Sequence, residues 1–220
     1  MDSVYMIKDV LKPEQVEQVL GMLNDDAFVD GKTTAVGMAQ SVKTNEQIDA
    51  EKIPGLTDLL SKTVVANRFF RQLAMPRAVS NIMVSRYREG MEYGTHTDAA
   101  IMPSGNRSDI SFTLFLTGPD SYEGGELSIE TPFGDQQLKL NAGSLILYPT
   151  GELHRVMPVT KGERIVVVGW VQSRVRDSRK RQILIDLDTA RQEYLKNVGH
   201  DRSADLLLKS TTNLRRMWDE

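Results

Sequence analysis

Residues Glu163–Ser173 read ERIVVVGWVQS, and the fold turns on how this stretch is understood. It is short and dominated by β-branched residues, which favour a pleated strand. A strand's period of two puts Arg164, Val166, Val168 and Trp170 on one face and Ile165, Val167, Gly169 and Val171 on the other. Apolar residues on both faces predict a strand covered from both sides. Arg164 is then a positive charge on a largely buried strand.

Working outward, the same grammar recurs upstream from Pro76. SNIMVSRY (80–87), SDISFTLFLT (108–117), GELSIET (125–131), QQLKL (136–140) and GSLILYP (143–149) are short, with Gly, Pro, Asn and Asp between them. Many closely spaced strands with turn residues between them predict a sandwich, jelly roll or barrel. Gly124 and Gly125 read as a tight turn before a strand.

The flanks are different. Val4–Ile7 reads as an early strand, and Pro13 opens a helix carrying Val16, Val19, Leu20 and Leu23 at i, i+3, i+4 and i+7. Residues 30–47, DGKTTAVGMAQSVKTNEQ, are polar and glycine-bearing and read as an extended surface segment. Pro54 to about Leu73 reads as one long helix with Leu56, Leu59, Leu60, Val64 and Phe70 on its apolar stripe. Beyond Arg174 the period becomes helical again, through Ile183, Leu187, Ala190 and Tyr194, and a last helix from about Ser203 carries Leu207, Leu214 and Trp218. The expected class is α+β: a β core in residues 1–174 flanked by N-terminal helices, and a helical extension in residues 175–220.

The bulk numbers set outer bounds. At 220 residues, 40% apolar and 26% charged, the chain suits a globular domain with an appendage. A net charge of -3 argues against polyanion binding by overall charge, so nucleic acid is disfavoured as a partner. The absence of cysteine removes disulfides, thiol nucleophiles and thiolate metal sites. The first residues show neither the basic nor the apolar region of a signal peptide, and no run approaches the ~18 apolar residues of a membrane span. A cytoplasmic protein is expected. The run RVRDSRKR (174–181) holds five basic residues, and a solvated helix start is favoured over a binding patch.

Chemistry concentrates in YREGMEYGTHTDAA (87–100), where His96 and Asp98 stand two apart. If a strand runs through them, both side chains leave one face with Cα atoms about 7 Å apart. Of the three histidines, His154 in YPTGELHRVMP is the one that could join them, while His200 in NVGHDRS reads as an exposed side chain. Two imidazoles and a carboxylate suit Fe(II), Mn(II) or Zn(II), and with open positions form the facial triad of non-haem iron oxygenases. Arg164, ten residues after His154, needs a partner wherever it is buried. That partner is either an internal acid, such as Glu163 or Glu152, or a carboxylate arriving with a ligand.

The pattern H-x-D followed by H-x9-R resembles the iron(II)/2-oxoglutarate-dependent dioxygenases. Tyr87-x-x-Gly90-x-x-Tyr93-x-x-His96-x-Asp98 is similar to their prolyl 4-hydroxylase-like branch. SDISFTLFLTGPDSYEGGEL, HRVMPVTKGERIVVVGWVQS and the 30–47 segment resemble the bacterial PKHD-type hydroxylases over nearly the whole chain. The resemblance implies a double-stranded β-helix (jelly-roll) core. It makes His96, Asp98 and His154 the Fe(2+) ligands and Arg164 the partner of the distal carboxylate of 2-oxoglutarate. Tyr87 falls near the cosubstrate, with Tyr93 as the alternative, and Trp170 is a candidate wall of the site. The implied reaction uses O2, with L-ascorbate as reductant, to hydroxylate a peptidyl or amino-acid-like small-molecule substrate with release of succinate and CO2.

Three alternatives remain at this point. A nucleic-acid dealkylase on the same scaffold would carry a second arginine six residues past the first, where Trp170 stands. A cupin-like metal protein would use the triad without a 2-oxo acid, and a binding module would use it structurally. The C-terminal helices could cover the barrel, bind a partner or form a homo-oligomer interface.

Overall fold

The fold was analysed in a computed structural model that describes residues 4–35 and 37–220; Val36, within the 30–47 segment, lies outside the described residues. In chain order the strands are β1 (Tyr5–Ile7), β2 (Phe28–Asp30), β3 (Lys43–Thr44), β4 (Glu46–Ile48), β5 (Pro76–Tyr87), β6 (Glu92–His96) and β7 (Ile110–Phe115). They continue with β8 (Tyr122–Gly124), β9 (Leu127–Ile129), β10 (Gln136–Leu138), β11 (Leu145–Pro149), β12 (His154–Val156), β13 (Val159–Gly162) and β14 (Arg164–Ser173). The helices are α1 (Pro13–Met22), α2 (Met38–Ser41), α3 (Leu56–Ala66), α4 (Arg68–Ala74), α5 (Ser178–Asn197) and α6 (Arg202–Trp218).

The strands pair antiparallel throughout. A seven-stranded sheet runs β1-β11-β7-β14-β5-β4-β2, a five-stranded sheet runs β10-β9-β12-β6-β3, and β13 pairs with β8. The strand from which the reading began lies near the centre of the larger sheet, between β7 and β5. Its two faces are both covered, as the pattern predicts. Ile165, Val167 and Val171 join Phe112, Leu114, Leu145 and Leu147 in the main core, against Val16 and Val19 of α1, Leu60 and Val64 of α3 and Phe70 of α4. Val166 faces the other way, with Phe115, Ile146 and Tyr148, onto Leu127, Ile129 and Leu138 of the five-stranded sheet. The space between the two sheets is therefore reached by the same strand face that carries Arg164 and Trp170.

Four expectations are corrected by the structure. Residues 54–73 do not form one helix: Asn67 ends α3 and caps α4, its side chain accepting from the backbone N–H groups of Phe69 and Phe70 at 3.0 and 3.1 Å. An asparagine offers the chain this local cap in place of a continued helix, and the bend lets α4 fold Phe70 onto Phe112. The 30–47 segment is mostly exposed but not extended throughout, since Gly31–Thr34 and Met38–Ser41 are helical turns, and its end turns inward, with Lys43, Asn45 and Gln47 buried. On α5, Ile183 is exposed and Ala190 faces solvent, while Arg181, Leu184 and Ile185 are buried, so the packed stripe is offset from the expected one. Finally, β6 ends at His96, which leaves Asp98 on the segment beyond the strand. Of the expected stripe of α6, Leu214 and Trp218 pack beside Met75, Val175 and Leu184, while Leu207 is half-buried outside that cluster.

Candidate active site

The two sheets enclose a cavity of about 270 Å³. His96 and His154 meet across its floor as a cross-strand pair on β6 and β12. Their rings lie 4.3 Å apart, and Asp98 reaches between them. The Nε2 atoms of His96 and His154 lie 3.8 Å from Asp98 Oδ1 and 3.7 Å from Asp98 Oδ2. One donor atom from each of the three falls within 4.8 Å of the others, a spacing that could hold a metal ion. His200, in contrast, is exposed and pairs with Asp205 at 3.0 Å.

The surroundings of these side chains fix their protons and directions. Each histidine turns Nδ1 to the carbonyl two residues before it: His96 to Gly94 at 2.8 Å and His154 to Glu152 at 2.9 Å. A carbonyl accepts only, so each bond places the ring proton on Nδ1 and leaves the Nε2 lone pair toward Asp98. Burial, reinforced by the neighbouring His154, holds the His96 pKa down at about 4, so its imidazole is neutral near pH 7. Asp98 Oδ2 accepts from Ser111 Oγ and from the Trp170 indole N–H, both at 2.8 Å. Trp170 is thus more than a wall, because it orients the carboxylate. A fit to a divalent ion with nitrogen and oxygen preferences follows from this donor chemistry.

Arg164 sits on the adjoining floor and is 1% exposed. Neither acid considered from the sequence pairs with it. Glu163 turns outward to Arg88 at 3.1 Å, and Glu152 serves the site through its backbone carbonyl. The guanidinium lies 5.0 Å from the Tyr87 ring, its partner across β14 and β5, and 5.5 Å from Phe115. Among the described residues its Nε and Nη1 have no hydrogen-bond partner within range, and the Tyr122 hydroxyl beside the guanidinium brings it no charge. Gly125, at φ 66°, lets the chain pass close by, since a Cβ there would lie 3.1 Å from Arg164 Cδ. Tyr87 is buried beside it, and that burial pushes its hydroxyl pKa up to about 12. Tyr93 is the tyrosine stacked on His96, at 3.6 Å between ring centres. The two candidates thus divide the site, Tyr87 beside the guanidinium and Tyr93 beside the imidazole.

Several lining residues lay outside the sequence reading. Thr34, Lys43 and Gln47 form one wall, joined in a hydrogen-bonded chain: Lys43 Nζ donates to Thr34 Oγ1 (2.9 Å), Thr34 to Gln47 Oε1 (2.5 Å), and Gln47 to Ser85 (3.2 Å). The available signal was the alternation Lys43, Asn45, Gln47, a strand period written in polar residues. Ser111 carried the same signal within β7, where Ser111 and Thr113 interrupt an apolar strand and both line the cavity.

Comparison with known proteins agrees with this geometry. The family profile described as the 2OG-Fe(II) oxygenase superfamily matches residues 82–172. A PKHD-type hydroxylase of Gloeothece citriformis is 46% identical over 219 residues, covering 99% of this chain and 100% of the relative. One from Maricaulis maris is 45% identical over 215 residues, covering 97% and 98%. Among solved structures, a Pseudomonas putida prolyl-4-hydroxylase superposes with a TM-score of 0.60 at 18% identity, over 79% of this chain and 94% of that one, a likeness of fold. The chain belongs to the PKHD-type hydroxylases of the 2OG-Fe(II) oxygenase superfamily, and is therefore an oxidoreductase. Among the described residues, no helix is long and apolar enough to cross a membrane.

Proposed function

We propose that this chain is an Fe(II)- and 2-oxoglutarate-dependent dioxygenase on a double-stranded β-helix core, hydroxylating a peptidyl or amino-acid-like substrate with release of succinate and CO2. The observation that carries the reading is Arg164, a guanidinium with unpaired Nε and Nη1 buried in the cavity that holds the His96–Asp98–His154 cluster. A charge so placed is costly until a carboxylate arrives, and its planar fork suits the distal carboxylate of a 2-oxo diacid.

His96, Asp98 and His154 are the residues that would hold ferrous iron. Bound there, the metal supplies open coordination positions and the redox chemistry between 2-oxoglutarate and O2. The chain's own residues do the rest. The Gly94 and Glu152 carbonyls keep both ring protons away from the metal side, so no deprotonation precedes binding. Ser111 and Trp170 fix the carboxylate's direction. Arg164 would seat the cosubstrate, with Tyr87 packed against the guanidinium, and Thr34, Lys43 and Gln47 line one side of the cavity. Residues 1–174 would form the catalytic unit and 175–220 an extension; a cytoplasmic location and L-ascorbate as reductant complete the reading. The site favours neither alternative enzyme: Trp170 is committed to Asp98, and a metal protein without a diacid leaves Arg164 unpaired.

Anaerobic Fe(II)-loaded protein titrated with 2-oxoglutarate should develop the weak visible charge-transfer band of a chelated 2-oxo acid. Arg164→Met should weaken 2-oxoglutarate binding by about a hundredfold, within the 2–5 kcal/mol range for truncating one side of a buried charge pair. The same variant, free of ligand, should melt no lower than the native protein, because a charge without a partner has been removed. An iron-loaded native sample that gives no band would end the reading.

A further inference from the structure

The cavity holds a second cation that this chemistry leaves unused. Lys43 lies on β3, the edge strand of the five-stranded sheet, directly across from Tyr93. Its residue is 4% exposed. The ammonium sits 5.1 Å from the centre of the Tyr93 ring, the same ring that stacks on His96. Of its three N–H groups one is given to Thr34 Oγ1. Among the described residues Lys43 forms no ion pair, and Asp98 and Asp30 act on it only by longer-range attraction. Against that attraction, burial draws its pKa down from 10.5 to about 8.

Charge balance gives the lysine a purpose. Ferrous iron, Arg164 and Lys43 would bring four positive charges to the cavity, while Asp98 and a 2-oxoglutarate dianion would bring three negative ones. One positive charge is left over, and an uncompensated charge on a side chain as buried as Lys43 is costly. It is left over on β3 of the five-stranded sheet, whereas Arg164 stands on β14 of the seven-stranded sheet. Of the two carboxylates of the cosubstrate, one would be taken by Arg164 and the other by the metal, so neither remains for Lys43. The missing anion must come with the molecule to be hydroxylated.

We propose that Lys43 is the substrate-recognition cation of this enzyme: it pairs with a carboxylate on the primary substrate, which is therefore an anionic amino-acid-like or peptidyl compound. The inference rests on the 2-oxoglutarate reading above. A lone ammonium, with Arg164 as the other lysine or arginine lining the cavity among the described residues, matches a monoanionic carboxylate better than a phosphate. The carboxylate could be an α-carboxylate or an acidic side chain, and the test separates them.

Calorimetry on Mn(II)-substituted, 2-oxoglutarate-loaded full-length protein provides that test without turnover. The probes are N-acetyl amino acids with free α-carboxylates and the matching N-acetyl carboxamides, among which N-acetyl-aspartic and N-acetyl-glutamic α-amides keep only a side-chain carboxylate. The expected result is that carboxylate probes bind at least tenfold more tightly than neutral ones. Lys43→Gln should erase that preference and Lys43→Arg should keep it, with the Kd for 2-oxoglutarate moving less than twofold in both. Preference for the two side-chain acids alone would assign the carboxylate to a side chain. Lys43→Gln should also melt at or above the native temperature, and Lys43→Met serves as a second neutral variant. Equal binding of acids and amides, or no binding by any acid, would overturn the proposal. A tenfold loss of 2-oxoglutarate affinity in Lys43→Gln would overturn it too, by giving the lysine to the cosubstrate. Native protein that does not take up 2-oxoglutarate before any probe is added would sink the parent reading and this one together.

Discussion

Asp98 lies past the end of its strand, with no sheet hydrogen bonds to set the direction of its side chain. That direction comes instead from two donors on the opposite sheet, Ser111 on β7 and Trp170 on β14, which both bond Oδ2 at 2.8 Å. The carboxylate stands between imidazoles whose Nε2 atoms are 3.8 and 3.7 Å away, so a small rotation would spoil the convergence. Outer partners of metal ligands typically contribute about 10–100-fold in affinity. Trp170→Phe keeps the packing and removes the N–H; it should weaken Fe(II) binding by about tenfold, read by metal titration, with the melting temperature of the metal-free protein nearly unchanged. Equal iron affinity in the two proteins would show that Ser111 alone is sufficient. The residue pattern made Trp170 a wall because a strand face shows which side a side chain leaves from, while a hydrogen bond to a residue 72 positions away needs the folded register.

At the scale of elements, the wall built from residues 30–47 hangs on one arginine. Arg86 on β5 is buried with its guanidinium 3.5 Å from the Phe28 ring, and it bonds Glu46 at 2.7 Å and Asp25 at 2.5 Å. Arg88 bonds the same Asp25 at 2.9 Å and Glu163 at 3.1 Å. These contacts staple β2 and β4 to the edge of the large sheet, and β3 with Lys43 follows two residues ahead of β4. Arg86→Met should cost roughly 2 kcal/mol, below the figure for a fully buried pair because Asp25 is mostly exposed. Denaturant titration would measure that cost, and the 30–47 segment should exchange its amide protons faster. Unchanged protection there would mean the Lys43–Thr34–Gln47–Ser85 chain holds the wall by itself. The same element-scale logic explains the broken helix at Asn67: hydrophobic periodicity runs through residues 56–73 without a pause, and the break is made by a two-bond side-chain cap that periodicity does not register.

For the whole molecule, function and stability are partly separable. The residues that would bind metal, cosubstrate and substrate all lie between the two sheets, whereas α5 and α6 pack on each other and dock through Leu184, Ile185 and Trp218 against Met75 and Val175. Leu184 is 0% exposed at the centre of that satellite cluster. Leu184→Ala should therefore destabilise the protein by about 2–5 kcal/mol, as buried leucine truncations do, while leaving 2-oxoglutarate affinity intact. A parallel loss of cosubstrate binding would show that the C-terminal helices shape the cavity. Arg164 and Lys43 have the opposite character, since neither forms an ion pair among the described residues, and in the proposed function each would be kept for a ligand.

Local pattern, readable in the amino acids themselves, determined the strands of the β core, the helices at either end, and the residue types available for chemistry. β-Branched alternation, helical stripes and a spaced H-x-D, H and R depend on neighbours within a few positions or on residue identity alone. Tertiary structure decided the rest: that β6 stops at His96, that Trp170 and Ser111 hold Asp98, that Glu163 turns away from Arg164, and that polar residues 43, 45 and 47 face inward. Each of those outcomes is a choice of partner across sheets or strands far apart in the chain. A partner is selected by the competition among all groups that the fold brings within hydrogen-bond range, and that competition exists only once the sheets have closed.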